Sequence, residues 1–343
     1  MNLAVLSSNP VISRRERTKS IADSLPKVPV PVSIAGTAVA RASLTSSGKI
    51  SLIRRRSSEV SHQSTEQPCG SLGSIDASCG IDVNFSLSHV TKLKSDEKDF
   101  NRKSIAWLMD GRLVILNHGS NEMKVFDTKY HPVLSRRLTE NCRAVTSASG
   151  CDVAVTCDRR VYFYNLTNKK VYETSKCFIL NGNSHGISTS GSGFAVAVDV
   201  GTSKKHIAIL DEKGKTIHTI RKYAAPHESV PLLFHIYIAV NFAKRVVYVS
   251  DVKNDKLVCI SFTEKRLWER ELSGKPRGIC LIDDYIIVGT ANQQLVLLNL
   301  EGAIVRILAL LEYEPECIAF NPLTKRLAVS QYFRGWVHVY QIT

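Results

Sequence analysis

The feature that most constrains this chain is a segment that recurs six times at a period of about 40–45 residues. The copies are SIAWLMDGRLVILNHGSNEMKVFD (104–127), RAVTSASGCDVAVTCDRRVYFYNL (143–166), HGISTSGSGFAVAVDVGTSKKHIAIL (185–210), LLFHIYIAVNFAKRVVYVSDVKNDKLVCISF (232–262), RGICLIDDYIIVGTANQQLVLLNLEG (277–302) and ECIAFNPLTKRLAVSQYFRGWVHVYQIT (316–343). Each reads as an apolar strand, a turn, a second strand, a polar loop and a third strand with apolar residues at alternate positions. Between copies lies one more candidate strand: VLSRRL, KVYETSKC, KTIHTIRK, RLWEREL or AIVRILALL. No segment sustains a helical period, so the class is all-β. A four-stranded unit that is apolar on both faces cannot bury them alone. Stacking such units radially around an axis buries each against its neighbours, and the prediction is a six-bladed β-propeller. A sheet sandwich needs no such period.

The strand count fixes how the ring closes. The sixth copy stops at Thr343, directly after its third strand, while DVNFSLSHVTKLK (82–94) stands unused before the first. Pairing that N-terminal strand into the last blade closes the ring and protects its edge. The predicted propeller therefore spans 82–343. Residues 1–81 are rich in Ser, Thr, Pro, Gly and Arg and poor in aromatics, the composition of a disordered leader. Within it, Ser57 and Ser58 follow Arg54-Arg55-Arg56, a pattern for basophilic phosphorylation, set against an ordinary solvated basic run.

Composition narrows the function classes. A net charge of +14 with a pI near 9.4 points to an anionic partner or to a merely basic surface. Nine cysteines without a C-x-x-C pair exclude the usual zinc frameworks and argue against a disulfide scaffold. Free thiols, a reducing compartment and a cytoplasmic location are the expectation. The longest apolar runs, 28–40 and 230–240, fall short of the roughly 18 residues of a membrane span. A soluble monomer is expected. No phosphate-binding loop, nucleophile elbow, zinc-protease helix or calcium loop occurs, so no catalytic residue, metal or cofactor is assigned. Ser190-Gly191-Ser192-Gly193 lies between strands and reads as a hairpin turn.

Gly111-Arg112-Leu113-Val114 with Val125-Phe126-Asp127, and Pro276-Arg277-Gly278-Ile279, resemble the repeats of NHL propellers. The resemblance spans 83–343 and is similar, more narrowly, to the C-terminal propellers of tripartite-motif proteins. It implies a disc that binds protein or RNA through one face. The RING, B-boxes and coiled coil of that family are missing here, so ubiquitin-ligase activity does not carry over. What carries over is a substrate-selecting or RNA-selecting module, or a truncated relative.

The basic residues give the candidate site. In a propeller, loops joining second to third strands share a rim with loops joining blades. Arg159, Arg160, Lys204, Lys205 and Arg334 belong to the first set, and Arg143, Lys275 and Arg277 to the second. Tyr332 and Phe333 on this rim are placed to stack bases. The partner is thus a protein or single-stranded RNA, with Arg160, Lys205, Arg277 and Arg334 holding phosphates in the RNA version. A second basic set, Arg112, Lys244, Arg245, Lys325 and Arg326, faces the opposite rim. The alternative is a metal-dependent hydrolase or lyase using residues at second-strand ends: Asn117, Cys157, Asp199, Asp251, Gly289 and Ser330.

Overall fold

Residues 110–127 show how the sequence makes a blade. Asp110 accepts the Arg112 amide at 3.1 Å, and Gly111, at φ 86°, closes a turn that most side chains disfavour. The following strand, Leu113–Asn117, is wholly buried, and Glu122–Phe126 pairs with it in antiparallel register. Side chains alternate between two neighbours. Val114, Leu116, Met123 and Val125 pack on Val145, Val153 and Val155 of the next blade. Leu113, Ile115 and Phe126 pack on Ala328, Val337 and Val339 of the last. The ribbon is held by blades on either side.

The computed structural model describes residues 86–94, 103–167, 170–200, 205–221, 237–332 and 334–343. Every regular element there is a strand, and the 24 strands form six four-stranded antiparallel sheets. The inner strands of blades 1 to 6 are Lys103–Trp107, Cys142–Ser147, Asn183–Thr189, Ile238–Asn241, Pro276–Ile282 and Pro315–Asn321. The buried apolar residues fall into six clusters, one for each junction between blades. Outer strands such as Arg266–Glu271 are mainly exposed and charged.

Ring closure follows the strand count. Leu87–Lys94 pairs with Trp336–Ile342, and Ser86 and Thr343 bond each other through backbone and side chain. Leu93 enters the junction between blades 6 and 1. The expected leader, with Ser57 and Ser58, lies outside the described residues, as do Lys204 and Phe333. No helix among the described residues is long and apolar enough to cross a membrane.

Side chains also tie blade to blade near the axis. Val145 donates to Ser104 at 3.0 Å, Thr156 to the His185 carbonyl at 2.8 Å, and Val240 to Ser188 at 3.1 Å. Ser250 donates to the Arg277 carbonyl at 2.6 Å, and Trp107 to the Ala319 carbonyl at 3.1 Å. Between blades 5 and 6 the backbones themselves approach, because a Cβ on Gly278 would lie 2.7 Å from the Glu316 carbonyl oxygen. That contact gives the glycine of PRGI a packing reason.

The cysteines depart from expectation. Cys142 and Cys157 form a disulfide, both sulfurs fully buried, whereas Cys151, Cys177, Cys259, Cys280 and Cys317 are free. The regular register of this hairpin pairs Val145 with Val155 and Ala144 with Thr156. One extra residue, Arg143, then brings Cys142 opposite Cys157. Alternation along the strand does not reveal such a slip, so the sequence showed nine unpaired thiols.

Candidate functional site

Four inner strands begin with a β-bulge at the same end of the disc. The register slips between Cys142 and Ala144, Ser184 and Ile187, Pro276 and Ile279, and Pro315 and Ile318. A bulge adds one residue and re-aims its side chain. The bulges carry Arg143, His185, Arg277 and Glu316, four ionisable side chains at the mouth of the central channel. Hydroxyls at the ends of second strands hold these bulges: Thr156 accepts the Ala144 amide at 3.0 Å, and Ser330 accepts that of Cys317 at 2.9 Å.

The mouth has two unlike sides. Across blades 2 and 3, Arg143 Nη1 donates to His185 Nδ1 at 2.8 Å. An arginine only donates, so the imidazole is neutral and its other nitrogen carries the proton. Burial, and then the field of Arg143, drive the His185 pKa down to about 4; Lys205 and His118 add to this and Asp199 opposes it. Arg159 on the adjoining turn and Arg160 at the start of the following strand are exposed, with Arg160 3.6 Å from Glu140 and 2.9 Å from the Tyr162 hydroxyl.

Across blades 5 and 6, Arg277 is 9% exposed. It pairs with Glu314 and lies 3.5 Å over the Tyr332 ring. Glu316, on the neighbouring bulge, is 1% exposed, and Glu314 offsets the charge of Arg277. Lys275 and Arg334 remain exposed.

The predicted rim residues therefore separate. Arg143, Arg159, Arg160 and Lys205 come together on blades 2 and 3, while Lys275, Arg277, Tyr332 and Arg334 lie on blades 5 and 6. Each group includes an arginine that already meets a carboxylate and a tyrosine: Arg160 with Glu140 and Tyr162, and Arg277 with Glu314 and Tyr332. Arg277 already has a carboxylate and an aromatic face, so it is not an open phosphate grip, and Tyr332 has one face covered.

The second-strand ends do not assemble a metal centre. Cys157 is in the disulfide, Asp251 holds Asn254 at 2.8 Å, and Gly289 accommodates Pro315. Ser330 clamps a bulge, Asn117 is fully buried, and Asp199 lies in the field of His185. Among the described residues, no group of three or more His, Cys, Asp or Glu is placed to hold a metal ion.

His185, Glu314 and Glu316 were missed from sequence. Dispersed histidines suggest surface residues, yet His185, His206 and His338 are buried. A usable signal was present: SHGI, PRGI and PECI place an ionisable residue two positions before an isoleucine in three copies.

In the opposite basic set Arg112 and Arg326 are built into the frame, while Lys244, Arg245 and Lys325 are exposed. Arg112 donates to the Leu166 carbonyl at 2.7 Å and to Asp110 at 2.7 Å. Arg245 meets His218 at 3.0 Å, Lys244 meets Glu301 at 4.0 Å, and Arg326 covers Tyr130.

No protein-family model matches this chain, and no curated protein matches it. Among solved structures it is similar to a luciferin-regenerating enzyme, at TM-score 0.56 and 11% identity over 74% of this chain and 95% of that one. It is also similar to the β-propeller domain of Myceliophteria thermophila Cps50 (Swd1), at TM-score 0.47 and 12% identity over 70% and 83%. At such identities the likeness to the enzyme shows the propeller fold alone.

Proposed function

We propose that this propeller is a non-enzymatic recognition module that holds an anionic partner protein on its bulged face. The observation that carries the reading is the basic arc of Arg143, Arg159, Arg160 and Lys205 at the channel mouth. A net charge of +14 steers acidic partners toward the protein. The metal-dependent hydrolase or lyase is disfavoured by electrostatics, because Arg143 and Arg277 place cations where such a site needs carboxylates. The single-stranded RNA reading keeps the arc but loses part of its stacking platform, since Arg277 covers one face of Tyr332. On this reading the NHL-like residues mark a substrate-selecting disc.

Photo-crosslinking amino acids at positions 159 and 275, with position 325 on the opposite face as control, test the reading in the cell of origin. Protein adducts at 159 and 275 that resist ribonuclease are the expected result. Equal labelling at 325, or adducts that vanish with ribonuclease, would contradict it.

A further inference from the structure

An outer strand of a propeller bonds its neighbour on one side only, and its other edge is open to pairing unless charge protects it. Arg266–Glu271 of blade 4 carries Arg266, Glu269, Arg270 and Glu271, and Leu87–Lys94 of blade 6 carries Lys92 and Lys94. Blade 5 differs. Its outer strand, Ile304–Leu310, reads IVRILAL and has Arg306 as its only charge. Ile304, Val305, Ile307 and Leu310 are each between 41% and 63% exposed, whereas no other outer strand exposes more than two large apolar side chains.

Arg306 adds a charge without a counterpart. Its Nε and Nη2 are both buried without an acceptor, and among the described residues no carboxylate, carbonyl or ring meets the guanidinium. The other arginines with an unmet buried Nε each have a partner: Arg143 has His185, Arg277 has Glu314, and Arg326 has the Thr128 carbonyl. The Arg306 side chain as a whole is half-exposed, within reach of an incoming carboxylate. Ile304 lies opposite Leu298 and Ile307 opposite Val296, on the face turned to blade 4. Arg306 lies opposite Leu297, on the face turned to blade 6. Bulges at Val305 and Leu308 interrupt the edge on either side of this pair. They limit added pairing to a few residues and oppose open-ended growth.

We propose that this edge receives a short extended segment of another protein, with apolar residues flanking one aspartate or glutamate. Strand addition supplies the backbone partners, the apolar side chains cover Ile304 and Ile307, and the carboxylate meets Arg306. A second copy of this chain fits less well, because its own Ile304–Leu310 brings another guanidinium and no acid. The surface lies on the circumference of the disc, so the inference stands apart from the bulged face.

The full-length protein is titrated at physiological salt with the N-acetylated heptapeptide VTVEVTV and with forms carrying glutamine or lysine in place of the glutamate. Calorimetry reads affinity, and hydrogen exchange reads the place of binding. Saturable binding of the glutamate peptide that slows exchange across 304–310 is expected. The glutamine form should bind about fivefold more weakly, and the lysine form more weakly still. Arg306→Gln should remove the preference for glutamate, and Ile307→Lys should abolish binding. The peptide substitutions need no protein variant, so a misfolded chain leaves the test intact. No binding of the glutamate peptide, equal affinity for all three, or protection away from 304–310 would each overturn the inference. So would a dimer in sedimentation that Ile307→Lys dissociates, since the edge would then belong to a second copy.

Discussion

On the face made by first-to-second-strand turns, Arg112 reaches the carbonyl of Leu166 in the next blade while bonding Asp110. On the bulged face, Arg159 stands exposed. A buried Nε–H without an acceptor occurs on both faces, at Arg143 and Arg277 and at Arg326, so the contrast lies in Arg112 as mortar against Arg159 in solvent. The difference lies in the backbone. Regular hairpins let a guanidinium lie across a junction, whereas a bulge turns one side chain toward the channel. Charge counted along the sequence cannot separate the two uses; only the partners can.

Acidification should act first through the bulged face and the closing blade. Burial, as the leading cause, holds both His185 and His338 at about 4 against an ordinary 6.5. Their folded pKa values lie below the unfolded ones, so the unfolded chain binds more protons between pH 6.5 and 4. Stability is therefore present above pH 6.5 and lost as pH falls toward 4, by up to roughly 3 kcal/mol for each histidine. Urea melts across that window check this, and His338→Gln should flatten the slope.

Arg112→Ala should cost about 2–3 kcal/mol, because it removes charge-assisted bonds and leaves the Leu166 carbonyl without its donor. The readout is the urea midpoint. Thr156→Val should cost about 1–2 kcal/mol, since the Ala144 amide and the His185 carbonyl both lose a partner. It should also broaden the Arg143 resonance, which a simple loss of packing elsewhere would not do. Arg159→Ala, at an exposed position, should change stability by less than about 0.5 kcal/mol.

The fold was legible because a propeller repeats its own hydrophobic pattern. Val114, Val153, Val196, Val247, Ile287 and Ala328 recur in the second strands, all at most 1% exposed. The closing strand was legible because Thr343 ended a blade one strand short. The site was only half legible. Arg143 and Arg277 were placed on the correct rim, but the bulges that raise them are one-residue slips invisible to a two-residue period. Glu314 neutralises Arg277 from 37 positions away, and nothing local in PRGI announces it. The Cys142–Cys157 pair depends on the same slip at Arg143.

The central contrast reduces to unfolding free energy measured in urea for two double variants, Arg112→Gln with Arg326→Gln and Arg159→Gln with Lys275→Gln. The first pair should lose more than about 2 kcal/mol and the second less than about 0.5. Equal losses in the two would mean that both faces use their charge as structure, and the case for a recognition face would fall.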